Sequence, residues 1–219
     1  MAAKPFAHVM LVDGNDERGI DVGLLTRAKY PIVSIRSHVD DADAKGPIFS
    51  RDCAEYEIAL PRGQRLWLLA NHFKSKGYGS QAANDAKRKR QAQRVRALVD
   101  AHLQAGDTLV AVVGDLNDSP GMAPLEPLLG QGSVLQDISR HPLYASGGRL
   151  GTHGNCAAAD KLDYILLSPE LFARVTAAGV ERRGMWGGTH GTLWPRFAEV
   201  RTADEAASDH AALWVDLDI

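Results

Sequence analysis

At 219 residues, with 45% hydrophobic residues, 24% charged residues and a formal net charge of -2, the chain has the length of one sizeable domain (1–219), and a single functional site is expected in it. These proportions exclude a collagen, a coiled coil and a disordered tail. They also exclude the strong positive excess of many nucleic-acid binders; because acidic metal ligands offset basic phosphate contacts, the placement of charge, not its total, bears on a phosphate substrate.

In chain order, the start MAAKPFAHVMLVDG lacks the basic-then-apolar profile of a signal peptide, which leaves the compartment open, a secreted parent protein included. Apolar runs rich in Val, Leu and Ile at residues 8–12, 22–25, 66–70, 109–113, 162–167 and 211–217 predict buried strands. Residues 55–60 alternate instead, so that strand is expected to keep one face wet. A long helix is predicted over 82–103, where Ala92, Val95, Val99 and Leu103 recur at helical spacing and Gly106 is placed to stop it. Shorter helices are expected at 123–129 and 170–175, and residues 144–159 and 182–207 read as long surface loops. The elements together predict an α/β or α+β layered domain. No apolar run approaches the ~20 residues that span a bilayer. Cys53 and Cys156 are too few for a disulfide framework, and two buried thiols are expected over one disulfide.

Four apolar runs touch polar clusters of one chemical kind: Asn71-His72-Phe73-Lys74-Ser75-Lys76, Gly114-Asp115-Leu116-Asn117-Asp118, Lys161-Leu162-Asp163-Tyr164 and Ser208-Asp209-His210. Singly, each Asp is more often a turn or cap residue and each His a satisfied structural one. Collectively they supply oxygen and imidazole donors of the kind that Mg²⁺ or Mn²⁺ prefers, without the thiolates of structural zinc. An Asp beside a His fixes its tautomer and raises its pKa, and Asp163 is a candidate for that part.

The ordered series NHFKSK, GDLNDSP, KLDYILLS and SDHAALWVDL, with RGIDVGLLTR before it, resembles the endonuclease/exonuclease/phosphatase family, the fold of DNase I, over essentially the whole chain from Asp13. That resemblance implies a four-layer α/β/β/α sandwich, N-terminally incomplete, and hydrolysis of phosphodiesters by a nuclease of low sequence specificity. It implies that Asp115 and Asn117 bind Mg²⁺ or Mn²⁺ and orient water or phosphate, that Asp209 and His210 join the metal set, and that His210 pairs with Asp163. His72 would meet the phosphoryl group from the opposite side, with Asn71, Lys74 and Lys76 as substrate contacts. Family members also carry a metal-binding Glu on an earlier strand. The chain opens after that point; truncation, completion by another chain and a divergent ligand set all remain open. Glu17 stands in a loop and does not match the motif position. Loss of that Glu weakens a Mg²⁺ site and leaves a catalytically weak phosphate-binding remnant, or an enzyme for another phosphoester, as alternative readings.

Lys87, Arg88, Lys89, Arg90, Arg94 and Arg96 lie on the long helix with no acid among them. They read as a solvated helix face, with a polyanion track for nucleic acid as the sharper alternative. Trp186, Trp194 and His190 are candidates for ring stacking or for burial under their own loop. A sheet edge left open by absent strands favours pairing with a second copy of the chain.

Overall fold

The computed structural model describes residues 5–219. A hairpin of β1 (His8–Val12) and β2 (Val22–Thr26) comes first, then β3 (Ile32–Arg36) and the short pair β4 (Ala42–Asp43) and β5 (Gly46–Pro47). β6 (Cys53–Ala59) and β7 (Arg65–His72) lead to helix α1 (Gln81–Gln104) and β8 (Val110–Asp115). Beyond lie α2 (Glu126–Leu129), β9 (Gln136–Asp137), β10 (Tyr144–Ala145), β11 (Asp163–Leu167), α3 (Pro169–Phe172), β12 (Val175–Glu181) and β13 (Ala212–Leu217).

The main sheet has six strands in the order β3-β6-β7-β8-β11-β9. Its only parallel pair, β7 with β8, is the one joined through α1, as a helical crossover requires. Ser80 caps α1 by accepting from the Ala83 amide, and Gly106, at φ +93°, follows its end. The stripe Ala92, Val95 and Val99, with Leu98, is buried against Leu69, Val110, Val112 and Leu166 of the sheet. Each such Val or Leu contributes about 1.5–3 kcal/mol.

The sheet's other face carries a second strand layer in two pieces. The β1–β2 hairpin packs Met10, Val12, Val22 and Leu24 onto Tyr56, Ile58 and Ala70. The β10-β12-β13 sheet packs Val175, Ala178, Val215 and Leu217 near Ala111, Ile165 and Leu167. Helix, main sheet and second strand layer thus stack as α/β/β in the order of the expected sandwich. On the outer face of the second layer Val9, Leu11, Leu25 and Trp214 are exposed.

Several expectations need correction. Residues 8–12 form a strand that alternates between half-buried and exposed positions instead of one buried on both faces. β6 is buried on both faces over its first half: Glu55 and Tyr56 are both 0% exposed, because Glu55 turns toward α1 and buried imidazoles, while Glu57 farther along is half-buried beside Arg65. β3 and β12 were not anticipated. β12 reads VTAAGVE, whose small residues carry little strand signal. Gly179 is required there because a Cβ would lie 2.9 Å from the Trp214 ring and 3.0 Å from the Ala145 carbonyl oxygen. The supposed loop 144–159 contributes β10 and the fully buried Thr152. Cys53 and Cys156 are both free and buried.

Candidate active site

Three neighbouring strands bring the first cluster together. His72 is the Cα partner of Asp115 across β7 and β8, and Asp115 is the partner of Asp163 across β8 and β11. Directly opposed residues share a face of the sheet, so the register sets His72, Asp115 and Asp163 in one row. His210, just before β13, closes the row: its Nδ1 lies 2.8 Å from Asp163 Oδ2. Ligand atoms of Asp115, Asp163 and His210 all fall within 4.8 Å of one another, and His72 Nε2 is 3.5 Å from Asp115 Oδ2.

The backbone at Gly114-Asp115 has little freedom. Gly114 has φ +124°, and a Cβ there would sit 1.9 Å from the Asn71 carbonyl oxygen, so the parallel pairing of β7 with β8 demands glycine. Asn117 takes φ +54°, which Asn tolerates better than most residues. Its backbone amide donates to Asp115 Oδ1 at 2.8 Å, and its Nδ2 donates to Asp115 Oδ2 and to the Phe73 carbonyl at 2.9 and 3.1 Å. The amide hydrogens are thereby used, which leaves Oδ1 to a ligand. Asp118 is buried and anchors the same turn, accepting from Arg88 Nε and paired with Lys76 Nζ, each at 3.2 Å. Its carbonyl accepts from the Tyr164 hydroxyl.

Burial, and then the neighbouring Asp163 carboxylate, push the Asp115 carboxyl up to about 6. His72 is pushed down to about 4 by burial and by the Arg51 and His210 charges, so its imidazole is neutral at pH 7. His210 moves the other way, raised by its hydrogen bond to Asp163. Two carboxylates converging without full compensation, with imidazole and amide oxygen beside them, form a donor set that suits a hard divalent cation.

The remaining expected residues are dispersed. Asp209 has a side chain 77% exposed and groups with His153 and His210 instead of with Asp115. Asn71 is buried, donating to the Leu69 carbonyl while its Oδ1 lacks a protein partner. Lys74 Nζ donates to the carbonyls of Ser75, Gly77 and Tyr78, on the wall of a cleft of about 330 Å³ that Asp16, Glu17, Arg18, Arg51 and Tyr78 also line. Glu17 is exposed there and belongs to no cation-binding group among the described residues. His72 has a carboxylate partner in Asp115.

Arg51 was missed. It is 3% exposed, sits 2.8 Å from Asp16, and donates from Nη1 to the same Phe73 carbonyl that Asn117 holds, linking cleft and row. A lone Arg in a loop carries no local signal. The basic run on α1 is neither a bare solvated face nor an open track. Arg88 is buried against Asp85 and Asp118, Arg90 and Arg94 pair with Asp43 and Asp41, and Arg96 pairs with Asp100. Trp194 packs beside Met185, whose carbonyl accepts from its Nε1, and the Arg196 guanidinium lies 4.4 Å over Trp186.

A model of the Endonuclease/Exonuclease/phosphatase family matches residues 3–168. The chain belongs to this family. A search of curated proteins found no match. Among solved structures, the chain is similar to a mannosyl-6-phosphatase of Bacteroides thetaiotaomicron VPI-5482 at 19% identity and TM-score 0.64, covering 96% of this chain and 77% of that one. It is similar to an endonuclease/exonuclease/phosphatase of Bacteroides vulgatus at 17% identity and TM-score 0.65, covering 97% and 76%. Truncated Caenorhabditis elegans TDP2 matches at 15% identity and TM-score 0.59, covering 87% and 67%. These likenesses speak for the DNase I-like fold that the family shares. No helix among the described residues is long and apolar enough to cross a membrane.

Proposed function

We propose that the chain hydrolyses phosphoesters with a divalent cation, Mg²⁺ or Mn²⁺, and that phosphodiesters, nucleic acid among them, are its substrates. The observation that carries this reading is the convergence of Asp115, Asp163 and His210 within 4.8 Å, with His72 alongside. Asp115 and Asn117 would hold the cation, which when bound supplies positive charge to the phosphoryl oxygens. Asp115, fixed by both donors of Asn117, accepts the proton of the attacking water. His210, oriented and made more basic by its hydrogen bond to Asp163, donates to a phosphoryl oxygen, and neutral His72 donates to another. No nucleophilic Ser or Cys motif stands in the sequence, so the water attacks phosphorus in line and the configuration inverts.

A compact phosphoester, such as a sugar phosphate, is the second reading. The pairing of Arg88, Arg90, Arg94 and Arg96 with acids favours it, since it leaves α1 little net charge to draw a long polyanion. Purified protein with Mn²⁺ or Mg²⁺ is expected to cleave bis(4-nitrophenyl) phosphate, and a panel of DNA, RNA and sugar phosphates separates the two readings. Failure on every substrate would end the hydrolytic proposal.

A further inference from the structure

We infer that His153, Asp209 and His210 form a second cation site, richer in nitrogen than the Asp115 group, that takes a borderline transition metal of the Zn²⁺ class. The three residues offer ligand atoms within 4.8 Å of one another, and His153 Nε2 is 3.5 Å from Asp209 Oδ2. The two imidazole centroids are 4.7 Å apart.

The backbone fixes this approach from both sides. His153 and His210 form an antiparallel bridge; the Gly154 amide donates to the Asp209 carbonyl, and the Ala211 amide to that of Thr152. Thr152 is 0% exposed, and its hydroxyl accepts from the amides of Leu162 and Asp163 at 3.0 and 3.1 Å. The Thr152 and His153 amides both donate to the Asp160 carbonyl. Main-chain contacts thus position His153, and its Nε2 faces Asp209 Oδ2 at 3.5 Å.

Two imidazoles and a carboxylate are the donor set of zinc-type sites with an open position, whereas Asp115 and Asp163 present hard oxygens suited to Mg²⁺. The two groups meet at His210. Its Nδ1 is engaged by Asp163, so Nε2 is the nitrogen open to the second cation. Resting on the proposed hydrolysis, the consequence is inhibition: Zn²⁺ held there takes the imidazole that otherwise donates to the phosphoryl oxygen.

Titration calorimetry of the full chain with ZnCl₂ alone tests the site. His153→Gln is expected to weaken Zn²⁺ binding about tenfold or more, while Asp115→Asn changes it less than about twofold. Unchanged affinity in His153→Gln, or an equal loss in Asp115→Asn, overturns the inference. Should His153→Gln fail to fold, substoichiometric Co²⁺ added to the unaltered chain shifts the ring resonances of His153 and His210 ahead of that of His72; the reverse order overturns it. Zinc binding lost in His153→Gln in a chain that cleaves no phosphoester would defeat the hydrolytic proposal and leave this one standing.

Discussion

Glu55 and Asp115 are both carboxylates of the six-stranded sheet, and each has two imidazoles close by, yet their electrostatics run in opposite directions. Glu55 is 0% exposed; His38 Nε2 and His102 Nε2 each lie 3.3 Å from its Oε2, and Arg36 Nη1 donates to Oε1 at 2.7 Å. Asp41 and Asp107 in turn engage the outer nitrogens of those imidazoles. Burial alone would raise the Glu55 carboxyl, but hydrogen bonds from His102 and His38 and the charge of Arg36 hold it at about 2. Asp115 faces another carboxylate, Asp163, and is pushed up to about 6. One network is closed by its own protein groups; the other leaves negative charge for a ligand to complete. Perturbed carboxylates of the second kind mark functional sites, and those of the first kind hold structure together.

Opposite phenotypes are therefore expected. Asp115→Ala should lower kcat/KM for a chromogenic phosphodiester by about 10²–10³-fold or more, with folding retained by circular dichroism. Glu55→Gln should leave kcat/KM within about threefold yet cost roughly 3 kcal/mol in urea unfolding, since it strands buried partners. A catalytic loss in Glu55→Gln at unchanged stability would break the comparison.

Cation binding sharpens it. A divalent metal at 100 times its Kd should raise the unfolding free energy of the unaltered chain and of Glu55→Gln by about 2.7 kcal/mol. Asp115→Asn should lose that increment. Metal-free Asp115→Asn should be the more stable protein at pH 7, by about 2 kcal/mol, because it removes a carboxylate that folding forces to ionise unfavourably. A destabilised metal-free variant would count against the raised Asp115 carboxyl.

The two carboxylates also predict opposite pH limbs. Glu55 is depressed on folding, so its contribution is present above about 4.5 and lost as pH falls toward about 2. Asp115 is raised, so its contribution is present below 3.8 and lost as pH rises through about 6. His102, raised despite its burial by Glu55 and Asp107, adds stability below 6.5 that is lost as pH climbs past its elevated value. Midpoints of thermal unfolding in metal-free buffer between pH 2 and 8 should show the acid limb flattened in Glu55→Gln and the limb from pH 4 to 6 flattened in Asp115→Asn. Identical profiles for both variants would remove the distinction.

The same contrast explains what could be read in the residues beforehand. His72, Asp115 and Asp163 each stand at the polar end of an apolar run, and strands pair in register, so the row was legible from sequence together with the family resemblance. Glu55 was not. In CAEYEIA the acids alternate with apolar residues as on a wet strand, and the imidazoles that bury it lie 17 and 47 positions away in the chain. His153 and Arg51 are isolated in loops, and only the backbone pairing of distant segments gives them neighbours. β12 was hidden because its Ala and Gly residues carry little strand signal, Gly179 being there to admit Trp214 and Ala145.

The smallest expected effect concerns α1, where Arg90, Arg94 and Arg96 pair with acids at the surface. Arg90 makes a two-point pair with Asp43 at 2.7 and 2.6 Å, and Arg94 Nε donates to Asp41 at 2.6 Å. Solvent-screened pairs of this kind contribute little, so Arg90→Ala and Arg94→Ala should shift urea midpoints only slightly. If these guanidiniums are spent on Asp43 and Asp41, the double variant should also leave the KM for single- and double-stranded DNA within about twofold, and the salt dependence of KM unchanged, because no phosphate contact has been removed. A tenfold rise in KM with a shallower salt slope would show that DNA displaces the acids. The helix would then be an open polyanion surface held closed by exchangeable partners, and the compact-phosphoester reading would lose the observation that favours it.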